Sequence, residues 1–223
     1  MKNICIIPAK GRSRRLPGKN VKVFKGMPMV CHAVKIAKES RLFEKIIVTS
    51  ESEEVLDMVD FDDGIVKVKR DMSLSTDGAT VDEVVMSLKS RFSGFDNLCV
   101  LLPCTPMLES IDLVKSFGLL DKFSHRCVAC GQYVNHPAYA FNVDVGGMIY
   151  RERPDSIVRK NAAETAIYDA GAFYWCDVSK FIVSAALVSG KALCYMLPRH
   201  KAVDIDTPED LELVTYYWEK HHE

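Results

Sequence analysis

Short runs of consecutive apolar residues alternate along the chain with segments in which apolar residues recur every three or four positions. The first kind predicts buried strands, and the second predicts helices with one apolar face. Strands are predicted at residues 4–7, 45–50, 65–69, 98–103, 127–131, 171–176 and 192–197, of which 65–69 is a short strand of alternating apolar and polar residues. Helices are predicted at residues 28–40, 52–59, 80–92, 111–123, 178–188 and 208–220. We therefore expect an α/β fold, with a Rossmann-like, mostly parallel sheet flanked by helices.

This alternation is interrupted between the fifth and sixth predicted strands. Residues 139–142 and 148–152 flank Val145, Gly146 and Gly147, and paired glycines tolerate the positive φ angles of a tight turn. The pattern predicts a hairpin, which a polar stretch at residues 155–165 follows. No internal repeat, low-complexity tract or linker is visible in the sequence. We expect a single domain over residues 1–223, with an insert at about residues 132–165.

Composition and charge exclude several classes of protein. The 223 residues carry 29 Lys and Arg against 30 Asp and Glu, and 48% are apolar, which excludes a disordered chain and a generally basic nucleic-acid binder. No apolar run approaches the ~20 residues that span a bilayer, and no signal peptide is visible. The eight cysteines are scattered, and most lie in strand-like apolar runs, where a free thiol is typical. We expect a cytoplasmic protein with no membrane or nucleic-acid partner.

A basic loop follows the first predicted strand, at residues 8–20. Ten Lys or Arg residues precede the first carboxylate, Glu39. Ligands of open α/β sheets bind at the carboxyl ends of strands, and Lys, Arg and backbone N–H groups suit a polyphosphate. The loop is not a P-loop, because Gly18 and Lys19 are followed by Asn20. A phosphate site is therefore predicted, with a solvated basic loop or a nucleic-acid patch as alternatives.

An acidic segment precedes the last predicted helix. Asp204 and Asp206 alternate across Ile205, so on an extended strand end both carboxylates point to the same side. Two carboxylates together with substrate phosphates suit Mg²⁺. Thr207 and Pro208 form a good helix start. Capping alone would explain Thr207 but would leave the two aspartates without a role, so we predict a metal site.

Other candidate residues are ambiguous from sequence alone. Arg70 and Ser75 could reach a phosphate, ribose or base, whereas Asp77 could equally cap the following helix. Cys127 and Cys130 have the spacing of half a zinc or redox site, but residues three apart on a strand face opposite sides. His200 could touch a phosphate, and the aromatic residues at 168–175 could simply belong to the core.

Together these segments resemble the cytidylyltransferases that activate nonulosonic (sialic-type) acids as CMP-sugars. Residues 8–20 are similar to that family's P-A-R-G-G-S-K-x-[IL]-P-x-K-N motif, and residues 70–77 to its R-P-x-x-L-[SA]-x-D segment. Residues 203–210 are similar to its [VI]-D-I-D-T-x-x-D motif. Residues 168–175 resemble the D-A-G-x-F-Y-W stretch of the pseudaminic acid branch, which is therefore the nearest branch.

Four departures from the family pattern concern the ligands. Lys10 stands where the family usually has Arg, and Arg12 replaces a loop glycine. Residues 102–106 lack the Q-P-T-S-P of the sialic acid enzymes, and Ala172 replaces a Gln. The missing Q-P-T-S-P favours the pseudaminic branch, so pseudaminic acid is the expected sugar. N-acetylneuraminic, legionaminic and 3-deoxy-octulosonic acids are the alternatives.

The resemblance implies that an anomeric hydroxyl attacks the α-phosphorus of CTP and that pyrophosphate leaves. It implies nucleotide contacts from Lys10, Gly11, Arg14, Lys19, Asn20, Arg70 and Ser75. It implies sugar contacts from Asp169, Gly171 and Phe173. Catalysis would fall to Lys19, Asp204 and Asp206, the two aspartates holding Mg²⁺. The family also commonly forms homodimers through the inserted hairpin. Two other classes of protein are the alternatives to an enzyme: a nucleotide-sensing module and a nucleic-acid-binding domain.

Overall fold

The protein is described by a computed structural model that covers residues 1–60, 62–123, 125–134, 137, 140–143, 145–150 and 166–222. The strands are β1 (Asn3–Pro8), β2 (Val23–Phe24), β3 (Met27–Pro28), β4 (Lys45–Ser50), β5 (Ile65–Lys69), β6 (Asn97–Leu101), β7 (Arg126–Gln132), β8 (Asn142–Val143), β9 (Ile149–Tyr150), β10 (Ile167–Asp177) and β11 (Leu193–Met196). The helices are α1 (Met29–Ser40), α2 (Glu53–Asp57), α3 (Val81–Met86), α4 (Ser110–Phe123), α5 (Val178–Ser184) and α6 (Pro208–His222). Short 3₁₀ helices occupy Met72–Ser75 and Lys89–Arg91.

Seven strands form the main sheet, in the order β11-β7-β10-β6-β1-β4-β5. Its neighbouring strands are parallel, except that β10 runs antiparallel to both β6 and β7. The prediction of a mostly parallel sheet flanked by helices is confirmed. The carboxyl ends of six strands and the start of β10 therefore lie along one edge, where a ligand site is expected.

Both faces of the sheet are buried, which explains why its strands are nearly continuous apolar runs. On β1, Cys5 and Ile7 pack toward α1 and α4, whereas Ile4 and Ile6 pack toward α3 and α5. A third, smaller cluster anchors the basic loop and the acidic segment to α6. It consists of Leu16, Phe24, Met29, Cys104, Met107, Ile205 and Val214.

Several predicted boundaries are corrected. The helix predicted at residues 80–92 is divided into α3 and a 3₁₀ turn at Lys89–Arg91. The helix predicted at residues 178–188 ends at Ser184, because Ala185 adopts a left-handed conformation (φ 52°). The small β2–β3 hairpin was not predicted; its turn contains Gly26 at φ +83°.

The predicted inserted hairpin is present as the pair β8–β9, with Gly147 at φ +80° in its turn. The predicted flanks of the hairpin and the predicted polar stretch extend to residues 139 and 151–165. Those residues lie outside the part of the chain that the structure describes. All eight cysteines have free thiols. Among the described helices, none has the length and apolar composition needed to cross a membrane.

Candidate active site

A cleft of about 500 Å³ opens at the carboxyl edge of the sheet. Its walls are the basic loop after β1, the segment after β5 and the acidic segment before α6. These are the three segments that the sequence singled out, so the structure brings them together. The charged side chains that line the cleft include Lys10, Arg14, Arg15, Lys19, Asp204 and Asp206.

Asn20 fixes the shape of the basic loop from inside. It is 2% exposed, and its side-chain amide donates a hydrogen bond to the Lys10 carbonyl at 2.6 Å. The Cys104 thiol donates to the Asn20 Oδ1 at 3.4 Å. Burial raises the pKa of Cys104 to about 12, so the thiol keeps its proton at neutral pH. Asn20 therefore supports the loop that carries the cations.

Gly11 allows the loop to pack against the end of β4. A Cβ at this position would lie 2.4 Å from the Ser52 Cβ, so only glycine fits. The N–H groups of Gly11 and Arg12 donate to the Glu51 carboxylate at 2.8 and 3.2 Å. The structure thus places Gly11 in a packing role, with its N–H directed to Glu51 and not to the cleft.

Arg70 and Ser75, predicted as nucleotide contacts, also bind Glu51. The Arg70 guanidinium donates to Glu51 at 3.1 Å, and the Ser75 hydroxyl donates at 2.8 Å. The Arg70 and Glu51 side chains are only 4% and 2% exposed. Burial opposes ionisation of Glu51, but these hydrogen bonds and the Arg70 charge hold its pKa below the ordinary value. Both side chains are therefore engaged with Glu51, while Arg70 also lines the cleft, so a direct contact with the nucleotide stays a prediction.

Sequence reasoning missed Glu51. The sequence contained one indication of its role: Glu51 is the carboxylate that immediately follows β4, which the structure places beside the basic loop.

Lys10 and Arg14 meet Asp77 across the cleft. The Lys10 ammonium lies 3.2 Å from one Asp77 oxygen, and the Arg14 guanidinium lies 2.8 Å from the other. The Asp77 side chain is therefore a counter-ion, while Thr80 caps α3 through a reciprocal pair of hydrogen bonds with Glu83. A bound triphosphate would offer the same two cations a stronger partner than one exposed carboxylate.

Asp206 lies between two cations. Its oxygens are 2.9 Å from the Lys19 ammonium and 2.5 Å from the Arg15 guanidinium. The start of α6 is capped instead by Asp210, which accepts hydrogen bonds from the N–H groups of Asp206 and Thr207 at 3.0 and 2.8 Å. Asp210 also accepts from the Thr207 hydroxyl at 3.0 Å. The carboxylates of Asp204 and Asp206 are therefore free of the capping role, as the sequence suggested.

Asp204 is the most perturbed carboxyl group of the cleft. Its pKa is raised to about 6, chiefly by desolvation on burial and also by the nearby charges of Asp206 and Asp210, against the opposing effect of Lys19. Gly171 makes room for it: with φ +58°, a Cβ on Gly171 would lie 3.0 Å from the Asp204 Oδ2. Gly171 therefore makes room for the aspartate. It also lines the cavity that adjoins the cleft, so its predicted contact with the sugar stays a prediction.

The aspartate pair fits the donor chemistry of Mg²⁺, which favours carboxylate oxygens. Within the described part of the chain, no group of three or more His, Cys, Asp or Glu side chains could hold a metal ion. A Mg²⁺ ion here would therefore take its remaining ligands from a nucleotide and from water, which is its usual way of binding.

A second cavity of about 340 Å³ adjoins the cleft and shares Asp204 with it. Asp169 lines this cavity and is held in place by the Tyr174 hydroxyl at 2.9 Å and the Gly171 N–H at 3.0 Å. The Tyr168 hydroxyl closes the opposite side by donating to the Ala202 carbonyl at 3.1 Å. Asp169 is therefore placed where it could bind an acceptor next to the cleft.

Phe173 is not part of this cavity. It is fully buried and packs against the ring of Tyr195, with centroids 5.8 Å apart. The pairing of β10 with β7 shifts between Asp169 and Tyr174, which oppose Cys130 and Val128. This bulge adds residues to β10 alone and breaks its simple alternation. The prediction that Phe173 contacts the sugar is wrong, because the bulge turns its side chain into the core.

Two further candidates also lie outside the cleft. His200 stacks on His221, with ring centroids 3.9 Å apart, beside a separate surface cavity near Trp218. Burial raises the pKa of Cys127 and of Cys130 to about 12 in each case, as expected for thiols packed in a sheet.

Three features of this site are typical of a nucleotide-dependent transferase. They are a cation-lined cleft, carboxylates that face the cations, and an adjoining cavity for an acceptor, all at the carboxyl edge of an α/β sheet. Comparison with known proteins agrees. The family model described as "Cytidylyltransferase" matches residues 4–118, just over half of the 223 residues. The chain belongs to the cytidylyltransferase family.

Individual relatives match along the whole chain. The pseudaminic acid cytidylyltransferase of Campylobacter jejuni subsp. jejuni serotype O:23/36 (strain 81-176) is 28% identical, with 100% of this chain and 99% of that protein covered. The N-acylneuraminate cytidylyltransferase of Streptococcus agalactiae serotype V (strain ATCC BAA-611 / 2603 V/R) is 26% identical, with 94% of this chain but 52% of that protein covered.

A solved structure of a CMP:2-keto-3-deoxy-manno-octonic acid synthetase complexed with CTP resembles the chain with a TM-score of 0.71. It is 16% identical, and the match covers 99% of both chains. At this identity the likeness establishes the fold.

Proposed function

We propose that the protein transfers CMP from CTP to the anomeric hydroxyl of a nonulosonic acid, with pseudaminic acid as the preferred acceptor. The observation that carries this proposal is Asp204, which lines both the cation-rich cleft and the adjoining cavity. A donor in the cleft and an acceptor in the cavity would meet at this carboxylate. The names of the full-length relatives favour the same reaction.

The triphosphate of CTP would bind to Lys10, Arg14, Arg15 and Lys19. Each of these cations is now paired with Asp77 or Asp206, so a phosphate would replace or share an existing ion pair. Lys19 is the least exposed of the four, and burial disfavours its charge. Nearby acidic groups outweigh that effect and raise its pKa, so it stays protonated and can stabilise charge that develops on the phosphates.

Asp204 and Asp206 would hold Mg²⁺, which supplies charge neutralisation to the phosphates when it is bound. In the reaction a bond forms between the anomeric oxygen and the α-phosphorus, and the bond to the bridging oxygen of pyrophosphate breaks. The hydroxyl loses its proton as the new bond forms. The protein contributes chiefly position and charge, as such transfers require.

Asp169 would bind the acceptor. Its carboxylate is oriented by Tyr174 and Gly171, and it can accept hydrogen bonds from sugar hydroxyl or N-acyl N–H groups.

The experiment that tests the proposal measures pyrophosphate release from CTP and Mg²⁺ with a panel of acids: pseudaminic, N-acetylneuraminic, legionaminic and 3-deoxy-octulosonic. We expect the highest kcat/KM for pseudaminic acid. Release with none of the acids would overturn the proposed activity, and a higher kcat/KM for N-acetylneuraminic acid would overturn the preference.

We further propose that the protein forms a homodimer through its inserted hairpin. Large apolar side chains are exposed there, including Val143 (65%) and Met148 (70%), and Tyr133 and Ile167 extend the patch onto the sheet. Exposed apolar surface of this kind is typical of an interaction site.

The free thiols favour a reducing compartment, and we propose the cytoplasm as the site of the reaction.

A further inference from the structure

Glu51 is a buried carboxylate that the proposed reaction does not use directly. One of its oxygens accepts the N–H groups of Gly11 and Arg12, at 2.8 and 3.2 Å. The other accepts the Ser75 hydroxyl at 2.8 Å and the Arg70 guanidinium at 3.1 Å. Four donors therefore converge on one side chain that is 2% exposed. Charge-assisted hydrogen bonds in such a protected place are strong and fix geometry.

These four donors belong to opposite walls of the nucleotide cleft. Gly11 and Arg12 lie in the basic loop, which forms one wall. Ser75 lies in the segment after β5, which forms the other wall through Leu74, Thr76 and Asp77. Glu51 thus joins the two walls at a point shielded from solvent. Arg70 reinforces the junction by donating to the Ser75 oxygen at 2.9 Å.

The second connection between the walls is of a different kind. Asp77 meets Lys10 and Arg14 at the open side of the cleft, and the Arg14 side chain is 87% exposed. Solvent and a bound triphosphate both compete for those ion pairs. The Glu51 junction is shielded from solvent, so it persists when a ligand enters.

We infer that Glu51 is a positioning residue that sets the spacing of the two cleft walls and thereby the affinity for CTP. This inference rests on the proposed function, since it requires CTP to occupy the cleft. A ligand that contacts both walls binds tightly only when the walls are held at the correct distance beforehand. Without the carboxylate, the loop N–H groups lose their acceptor and Arg70 loses its counter-ion.

The test is calorimetric titration of CTP in the absence of any acceptor acid, so that no turnover occurs. We expect Glu51→Gln to raise the Kd for CTP by about tenfold to a hundredfold, as the loss of one or two charge-assisted hydrogen bonds would. In steady state, the KM for CTP should rise while the KM for the acceptor stays within twofold, because Asp169 and its cavity lie on other elements.

Glu53→Gln is the matched control. Glu53 lies two residues further along, is 61% exposed and pairs with Lys69, so its change should leave the Kd for CTP within twofold. Gly11→Ala perturbs the same junction from the other side, because its Cβ would lie 2.4 Å from the Ser52 Cβ and push the loop away. It keeps the side chains of Glu51, Arg70 and Ser75, and we expect the same selective loss of CTP affinity.

The outcomes separate a positioning role from a structural one. A variant that is only less stable shows fewer binding sites per molecule with an unchanged Kd, and that result would overturn the inference. An equal rise in both KM values would overturn it as well. If Glu51→Gln does not fold, Gly11→Ala decides, and an unchanged Kd for that variant refutes the inference. A wild-type protein that binds no CTP would instead refute the proposed function on which the inference depends.

Discussion

Replacing Asp204 with asparagine is expected to stabilise the metal-free protein while removing most of its activity. The carboxylate of Asp204 is desolvated and lies near Asp206 and Asp210, and its pKa is raised to about 6. Asparagine has nearly the same shape, so it should fit the space that Gly171 leaves. The substitution removes a charge that is costly to bury and that the proposed metal site requires.

The size of the gain follows from the shift in pKa. A rise from 3.8 to about 6 corresponds to about 3 kcal/mol at 1.36 kcal/mol per pKa unit. Asp204 lies in an open cleft, and solvent screens part of this energy, so we expect a gain of about 1–3 kcal/mol in the free energy of unfolding.

The difference in the free energy of unfolding between the asparagine variant and the parent depends on pH. The unfolded carboxyl group ionises near its ordinary pKa of 3.8, whereas the folded group retains its proton up to about pH 6. Between these values the folded state binds more protons, so the free energy of unfolding of the parent falls as pH rises. The advantage of the asparagine variant is therefore complete above about pH 6 and disappears below about pH 4.

Urea denaturation in the presence of EDTA at pH 7.5 and at pH 4 measures this difference, and pyrophosphate release with Mg²⁺ measures activity. Activity should fall by about 10²–10³. Asp206→Asn is the matched control: its carboxylate forms ion pairs with Lys19 and Arg15, so its loss should give no gain in stability. Equal stability of Asp204→Asn and the parent at pH 7.5, or the same gain at both pH values, would refute the reasoning.

Three other predictions concern separate parts of the molecule. Lys19→Ala should raise the Kd for CTP about tenfold, because the cleft loses its least exposed cation; titrations that overlay those of the parent would show that this ammonium does not hold phosphate. Gly171→Ala should lose most activity with the fold intact in circular dichroism, because its Cβ would displace Asp204, whereas Gly147→Ala, with a similar φ but open space around it, should remain active. Val143→Asp should shift the protein from dimer to monomer in analytical ultracentrifugation, and a dimer that persists in this variant would exclude the hairpin as the interface.

Local pattern was sufficient to predict most of the fold. The strands at residues 45–50 and 65–69 were predicted at their observed bounds. The first is a buried strand of the parallel sheet and contains a run of apolar residues, whereas the second lies at the sheet edge and alternates apolar with polar residues. The separation of Asp204 and Asp206 from the helix cap was also visible, since Thr207 and Pro208 already accounted for the helix start. These features depend on neighbours in the sequence.

The sequence was not sufficient where the role of a residue depends on contacts with residues that are distant in the chain. Glu51, which follows another strand, was missed because no local spacing indicates that it lies buried beside Arg70. Phe173 was expected near the sugar because residues 168–175 resemble a stretch of the family, and only the pairing with β7 reveals the bulge that turns its side chain into the core. Gly171 also makes room for Asp204, a side chain from the other end of the chain, and no local pattern indicates that contact.

The position of the insert has a consequence for how this protein can diversify. Gln132 and Ile167 are register partners, and the Tyr133 N–H donates to the Ala166 carbonyl at 3.1 Å, so the chain leaves and rejoins the sheet at one point. A segment whose ends are tied together in this way can change length at little cost, about 0.6 kcal/mol for each doubling. The stretch that matches the family model ends at residue 118, before that point. Mutation, recombination or deliberate grafting can therefore exchange the insert as a unit and leave the register of the seven strands of the main sheet unchanged.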